Sequence, residues 1–262
     1  MTYLMESPQE GHRLLTQEAR SPSTQRVLAA GVARGQRVLD AGCGAGAVTG
    51  TLLDLVGPEG HVTAFDASAE RVALARQALG VRENLRLEVR ALPHTGLDAG
   101  AYDVVWSQFV LEYLPEPEAA VAELARLARP GGTVAVAEID GYGLGLWPVS
   151  EALERGLALF QAALRRARFD LFVGRKLYTL FRAQGLVDVR VQLTPHHVTA
   201  GAADEAMLED WRVRFAALRP VGLAAFGDEV AYEAFAAEYL SLLSNPDALK
   251  YSVVLTTIGT RR

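Results

Sequence analysis

The residues best suited to hold a ligand lie in a glycine-rich turn. Residues 38–46 read Val-Leu-Asp-Ala-Gly-Cys-Gly-Ala-Gly, an apolar strand ending followed by residues without bulk. Gly42, Gly44 and Gly46 allow the backbone to turn sharply and to approach a ligand closely. Residues 47–53 have the composition of a helix opening, whose free N–H groups can hold a polar ligand. A strand, a glycine turn and a helix in this order predict a nucleotide-type cofactor site.

Two further residues bear on the chemistry of this turn. Cys43, the one cysteine of the sequence, is either a nucleophile or a small residue that fills a tight turn. The second interpretation is favoured because no base is fixed beside it in sequence. Asp66 follows about 20 residues after the glycines, where a carboxylate can accept hydrogen bonds from both ribose hydroxyls. Because Gly42-x-Gly44-x-x-Ala47 also fits the relaxed dinucleotide pattern, these residues alone leave a nicotinamide enzyme and a methyl-transfer enzyme both open.

The predicted elements place this turn in an α/β sheet. Apolar runs alternate with helical patterns, which is typical of a doubly wound, Rossmann-like sheet with helices on both faces. Such sheets bind ligands outside the carboxyl ends of their strands. The first strands are expected over 37–41, 61–66, 85–89, 102–106 and 133–139, and the helices over about 8–19, 23–33, 68–79 and 117–129.

The second half of the chain has a different pattern. If its two predicted strands pair as a closing hairpin, the sheet is mostly parallel with an antiparallel final strand, and a helical cap excursion lies between them. A connection that long has either a functional role, such as a lid, or is an ordinary decoration. The helices are expected over 150–167, 174–184, 203–218 and 228–243, with Arg219-Pro220 and Gly222 separating the last two, and the strands over 186–193 and 250–258.

Length and composition indicate a single domain over residues 1–262. We expect N-terminal helices over 1–34, a cofactor-binding core over 35–140, and a C-terminal half of the sheet over 141–262 with a helical insertion at about 200–248. Half of the residues are hydrophobic, so a sizeable core is possible.

The charge balance and the lone cysteine bear on partners and location. The formal net charge of -5 does not resemble the basic footprint of a nucleic-acid binder. With one cysteine, a reducing compartment is expected, and the sequence has neither a signal-peptide pattern nor an apolar run long enough to span a membrane. A cytoplasmic protein with no nucleic-acid or membrane partner is therefore expected, and its oligomeric state is left open.

Five motifs in order resemble those of the class I S-adenosylmethionine-dependent methyltransferases, in particular the broad bacterial small-molecule type with a single methyltransferase domain. They cover residues 35–140 densely, and the resemblance is looser at Glu10–Gln17 and Gly174–Leu177. Two residues depart from the family pattern: Glu88 stands where aspartate is usual, and Tyr113 where histidine is frequent. The motifs are Val38–Gly46, Phe65–Ser68, Glu88–Pro93, Tyr102–Leu114 and Leu124–Gly132.

The resemblance implies S-adenosylmethionine as the cofactor and a role for each motif residue near the adenosine. Asp66, followed by Ala67, would hold the ribose diol by charge-assisted hydrogen bonds, and could also cap the helix that follows. Glu88 would accept from the adenine amino group, with the Val89 amide reaching a ring nitrogen. The alternative for Glu88 is a solvated carboxylate at a strand end.

Other residues would surround the methionine part of the cofactor. Asp40 would lie near its ammonium group or, equally, accept hydrogen bonds from turn amides. Gly42, Cys43 and Gly44 would supply the close backbone approach. Ser107 and Gln108 would border the methyl group, or cap the next helix. Arg13 and Gln17, one helical turn apart, would close over the carboxylate or form an exposed helix face.

The sequence names no catalytic residue. Methyl transfer from an activated sulfonium needs mainly proximity and orientation, and a base only where the acceptor carries a proton. The candidate bases are His196, His197, Glu138 and Asp140. No metal is expected, because the histidine pair lacks a third ligand at a recognisable spacing.

The acceptor is the least defined part of the prediction. Tyr142, Trp147 and Trp211 are candidates for an apolar acceptor pocket, although aromatic residues are core by default. The predicted function is methyl transfer to a small organic molecule. Methylation of a protein or RNA, and a non-catalytic cofactor-binding module, are the alternatives.

Overall fold

Seven strands form one sheet in a computed structural model that describes residues 23–262. In chain order they are β1 (Arg37–Ala41), β2 (His61–Asp66), β3 (Leu85–Val89), β4 (Tyr102–Gln108), β5 (Ala128–Trp147), β6 (Val187–Ala200) and β7 (Leu249–Thr260). The spatial order is β3-β2-β1-β4-β5-β7-β6.

The strand directions confirm the predicted fold class. Strands β3, β2, β1, β4 and β5 run parallel to one another. Strand β7 lies between β5 and β6 and is antiparallel to both. The sheet is therefore Rossmann-like and mostly parallel, with the antiparallel final strand that the sequence predicted.

Helices follow most strands. They are α1 (Thr24–Ala29), α2 (Ala47–Val56), α3 (Ala69–Leu79), α4 (Pro117–Leu127), α5 (Glu151–Arg166), α6 (Val173–Ala183), α7 (Glu205–Ala217), α8 (Arg219–Phe226) and α9 (Glu229–Leu243), with a short 3₁₀ helix at Leu111–Tyr113. The helix predicted over 8–19 lies outside the described residues.

Alternating side chains of the central strands pack into two separate hydrophobic cores, one on each face of the sheet. Leu39 and Val105 face a cluster that contains buried residues of α4 and α6. Val38 and Trp106 face the opposite cluster, which contains α1 and α2. This alternation is the pattern expected of strands that are covered on both faces.

A third core lies apart from the sheet. Apolar and aromatic residues of α5, α7, α8 and α9 form it, among them Phe160, Phe215 and Phe235, which are all buried. Helices α7 to α9 occupy the connection between β6 and β7. The chain leaves and re-enters the sheet at one point, because Ala200 pairs with Leu249.

The structure corrects two expectations about the second half of the chain. Arg219-Pro220 and Gly222 were expected to separate two helices, yet they lie inside α8. Proline is tolerated in the first turn of a helix, and Gly222 carries no side chain where the ring of Tyr232 packs. Strand β5 also continues well beyond the expected end at residue 139, through an irregularity between Asp140 and Gly145.

Candidate active site

A cavity of about 730 Å³ opens at the carboxyl ends of the parallel strands. It lies where β1 and β4 are neighbours, the point at which the strand order reverses and α/β sheets bind ligands. Its lining comprises Asp40, the glycine turn, residues 65–69 after β2, residues 90–94 after β3, and residues 108–110 and 113–116 after β4.

Backbone hydrogen bonds hold the glycine turn against the end of β2. The amides of Gly42 and Cys43 both donate to the carbonyl of Phe65, at 2.8 and 2.9 Å. Gly42 has φ +84°, and a Cβ built there would lie 2.3 Å from Cγ2 of Val110. The turn therefore requires glycine for its conformation and for its close packing.

Asp66 is the carboxylate most closely integrated with this turn. Its Oδ2 accepts the Gly44 amide at 2.9 Å, and its Oδ1 accepts the Ser68 amide at 2.9 Å. The side chain of Ser68 in turn caps α3 by accepting from the Arg71 amide. Asp66 is 7% exposed and lines the cavity together with Ala67. Since an ionised carboxylate has about four acceptor positions, it retains acceptor capacity for a ligand.

Asp40 and Cys43 are two buried residues of the strand end and the turn. Asp40 Oδ2 accepts the hydroxyl of Thr49 at 2.7 Å, and Asp40 lines the cavity. Burial, together with the charges of Asp40 and Asp66, raises the pKa of the Cys43 thiol well above its ordinary value. A thiol that stays protonated is a poor nucleophile, so Cys43 has the properties of a small packing residue.

The residues predicted for the adenine side lie apart from the cavity lining. Neither Glu88 nor Val89 is among the residues that line the cavity, whereas Arg90 is. Glu88 forms ion pairs with Arg86 and, at 2.5 Å, with Arg90, and the hydrogen bond from Arg90 is the main cause of its lowered pKa. The register explains this displacement: Val89 is level with Asp66, so residues beyond the end of β3 reach the cavity.

Ser107 and Gln108 have different environments. Ser107 is fully buried, and its hydroxyl donates to the carbonyl of Ala41 at 2.9 Å, which ties β4 to β1. It does not line the cavity, whereas Gln108 does. Gln108 Oε1 accepts a hydrogen bond from Arg26 of α1 at 3.2 Å. Arg13 and Gln17 lie outside the described residues.

The candidate bases do not line this cavity. Asp140 accepts two hydrogen bonds from Arg175, each at 2.8 Å. His196 is buried, and burial lowers its pKa to about 2. His197 stacks on His196 with ring centroids 3.9 Å apart. Within residues 23–262, no group of three or more His, Cys, Asp or Glu side chains is arranged to hold a metal ion.

Glu138 instead supports the segment after β4. Its Oε1 accepts the amides of Val110 and Leu111, at 2.9 and 2.7 Å, and its Oε2 has no hydrogen-bond partner among residues 23–262. Burial, and next the charge of Glu112, raise the pKa of Glu138 well above its ordinary value. Glu138 thus fixes a segment that lines the cavity.

A second, smaller cavity of about 80 Å³ adjoins the first, because Phe109 and Tyr113 line both. Tyr142 and Trp211, which the sequence suggested for an acceptor pocket, line it and stack with their ring centroids 5.3 Å apart. Trp147 does not line it and is 71% exposed. We call this space the aromatic cavity.

Several residues of the aromatic cavity were missed by the sequence analysis. The signals were aromatic residues at helical spacing in α7 and α9 and the alternating glycines 141, 143 and 145. Gly143 has φ +74°, and a Cβ there would meet both Trp211 and Tyr239. The missed lining includes Phe109, Tyr113, Phe160, Phe215, Phe235 and Tyr239.

Comparison with known proteins defines the family. The profile described as a methyltransferase domain matches residues 39–136. A phosphatidylethanolamine N-methyltransferase of Cereibacter sphaeroides is 34% identical over 151 residues, which cover 55% of this chain and 70% of that protein. The chain belongs to the class I S-adenosylmethionine-dependent methyltransferases. The predicted family and its cofactor, S-adenosylmethionine, are thereby confirmed.

Other members of the family extend the comparison. This methyltransferase is 36% identical over 108 residues to a ubiquinone biosynthesis O-methyltransferase of Bordetella avium, covering 40% of this chain and 43% of that protein. A solved S-adenosylmethionine-dependent methyltransferase of Aquifex aeolicus has the same fold, with a TM-score of 0.55 at 17% identity, covering 98% of this chain and 100% of that one. The chain spans about half the length of the first curated relatives it matches.

One finding concerns membranes. No helix within residues 23–262 combines the length and the apolar character that a membrane crossing requires.

Proposed function

We propose that this methyltransferase transfers a methyl group from S-adenosylmethionine to a small organic molecule. The observation that supports this most directly is the pair formed by Asp66 and the glycine turn, which lines a large cavity at the switch point of the sheet. The smaller aromatic cavity beside it has the enclosed, mainly apolar character of a small-molecule site.

The side chains around the large cavity fit the chemistry of the cofactor. Ribose hydroxyls are donors, and Asp66 is an acceptor with capacity left. A sulfonium and an ammonium group are positive, and the carboxylates of Asp40 and Asp66 face the same space. We therefore keep as cofactor-binding residues Asp40, Gly42, Cys43, Gly44, Asp66, Ala67 and Gln108, with Arg13 and Gln17 as proposals from the sequence.

The residues of the chain act mainly through position. S-adenosylmethionine supplies a methyl group already activated on sulfur. The glycine turn and Asp66 would fix the cofactor relative to the sheet, and Phe109 and Tyr113 would separate it from water on the side of the aromatic cavity. Holding the cofactor and the acceptor in the correct relative orientation accounts for a large share of the catalysis of methyl transfer.

Relatives support a small acceptor. Two of them are named as methyltransferases of ubiquinone biosynthesis and of phosphatidylethanolamine. The net charge of -5 argues against RNA as the acceptor. Since Cys43 is the one cysteine of the sequence, a reducing compartment such as the cytoplasm remains our proposed location.

Calorimetric titration of the full chain with S-adenosylhomocysteine tests the cofactor site. We expect saturable binding, and none with a nicotinamide dinucleotide. The reverse pattern would contradict the proposal. Tight binding of S-adenosylhomocysteine without methyl transfer to any small molecule, protein or RNA would instead indicate a non-catalytic module.

A further inference from the structure

The aromatic cavity has a definite chemical character that goes beyond a generic acceptor site. Its walls come from β5, α5, α7 and α9, and they are mostly apolar or aromatic. Rings favour other rings in offset or edge-to-face contact. A volume of about 80 Å³ favours a single-ring occupant over a polycyclic one.

The positive charge of Arg214 at its wall does not favour an anionic occupant. The guanidinium of Arg214 lies 4.5 Å from the ring centroid of Tyr142, and its Nε donates to Asp210 at 2.8 Å. The positive charge is therefore compensated by a neighbour on the same helix. An anionic ligand would compete with Asp210 for a group that is already paired.

Glu112 lies at the junction of the two cavities. It belongs to the 3₁₀ helix Leu111–Tyr113. In sequence it lies between Phe109 and Tyr113, the two residues that line both cavities. Glu112 is 5% exposed and is the one carboxylate among the described residues that line the aromatic cavity. A ring hydroxyl placed at this end of the aromatic cavity, next to the larger cavity, would meet the Glu112 carboxylate.

We propose that the aromatic cavity binds the ring of a neutral phenol, with Glu112 as the catalytic base that takes the proton of its hydroxyl. This inference rests on the proposed function. The phenol oxygen forms a bond to the methyl carbon, and the carbon–sulfur bond breaks with its electron pair going to sulfur. The hydroxyl proton passes to the Glu112 carboxylate. The products are a methyl ether and S-adenosylhomocysteine.

The binding test uses the tryptophan fluorescence of the full chain carrying Trp147→Phe, which removes the exposed tryptophan and leaves Trp211 beside the fully buried Trp106. With S-adenosylhomocysteine at saturation, we expect 4-ethylphenol to quench the signal saturably. Its anionic analogue 4-hydroxyphenylacetate and its cationic analogue tyramine should bind at least tenfold more weakly. Equal or tighter binding of either charged analogue would overturn the assignment of a neutral acceptor.

A pair of variants on α5 locates the site. Leu157 lines the aromatic cavity, whereas Leu159 is 50% exposed on the same helix. We expect Leu157→Phe to weaken 4-ethylphenol binding at least tenfold and Leu159→Phe to leave it within twofold. Both should bind S-adenosylhomocysteine as the parent does. If the parent binds S-adenosylhomocysteine but no phenol, this inference fails and the proposed function stands; if it binds neither, both fail.

The role of Glu112 has its own test. We expect Glu112→Gln to lower the rate of methyl ether formation from 4-ethylphenol by about 100-fold, as general-base losses commonly do. The exposed Glu118→Gln should have no effect. With 4-nitrophenol, which is largely ionised in mildly alkaline buffer, the defect of Glu112→Gln should largely disappear. An equal defect with both phenols would show that Glu112 is only structural.

Discussion

Asp66 Oδ2 accepts a hydrogen bond from the Gly44 amide at 2.9 Å, which fixes the end of β2 to the turn after β1. The same carboxylate accepts the amide of Ser68 through its other oxygen. One side chain thus organises two backbone segments that line the large cavity. We expect the loss of cofactor affinity on removal of Asp66 to follow from this double role.

Replacing Asp66 should weaken cofactor binding. Asp66→Ala removes the charged acceptor proposed for the ribose hydroxyls, and a charge-assisted hydrogen bond contributes about 1.5–3 kcal/mol. We expect the affinity for S-adenosylhomocysteine, measured by calorimetry, to fall at least tenfold. Asp54→Ala, on the exposed surface of α2, should leave it unchanged. Unchanged affinity in Asp66→Ala would remove Asp66 from the site.

Gly42 and Gly31 offer a matched pair of positions for alanine substitution. Both have φ +84°, but a Cβ at Gly42 would collide with Val110, whereas nothing lies within 4 Å of one at Gly31. Alanine at either position should lower the free energy of unfolding by about 1–2 kcal/mol through backbone strain. Only Gly42→Ala should also weaken S-adenosylhomocysteine binding, because Val110 lines the cavity. Equal binding by the two variants would contradict this.

Glu138 should make stability depend on pH. Its folded pKa is raised, so over the interval above the ordinary value of 4.5 the folded protein binds more protons than the unfolded one. Its contribution to stability is fully present below that value and is lost as the pH rises toward the folded pKa.

The comparison with Glu138→Gln isolates this contribution. Between about pH 5 and about pH 8, we expect denaturant titrations to show wild type losing stability relative to Glu138→Gln as the pH rises. Glu118→Gln serves as the control and should follow the wild type throughout. A difference between wild type and Glu138→Gln that does not change with pH would show that Glu138 is not a source of the dependence.

Glu88 provides a test of the adenine side of the site. Because its carboxylate is paired with Arg86 and Arg90 outside the cavity, we expect Glu88→Ala to change the S-adenosylhomocysteine affinity by less than twofold. Glu83→Ala, an exposed neighbour, is the reference. A tenfold loss in Glu88→Ala alone would restore the role first predicted from the motif.

Sequence patterns were sufficient for the half of the fold that binds the cofactor. Apolar runs and glycine turns are local signals, and they placed β1, β2 and Asp66 correctly. The position of Glu88 relative to the cavity depends on the register between β3 and β2, which a single strand does not encode. The linear motif therefore named the right segment, but Arg90 rather than Glu88 lines the cavity.

The acceptor side depends on tertiary packing. Gly222 suggested a break, but its missing Cβ makes room for the ring of Tyr232. The aromatic cavity joins Phe109, Tyr142 and Trp211, which come from three distant parts of the chain. Such a cluster has no recognisable spacing pattern in the sequence, because each residue is positioned by a different secondary-structure element.

The helical segment between β6 and β7 can change in sequence separately from the glycine turn. Gly201 and Ala248 are hydrogen-bonded at 2.7 Å, and Lys250 donates to the carbonyls of Gly201 and Leu243. The two ends of this helical segment are thus held side by side. A different segment closed by the same ends could reshape the aromatic cavity and leave the glycine turn untouched. Selection on acceptor choice can then proceed without loss of cofactor binding.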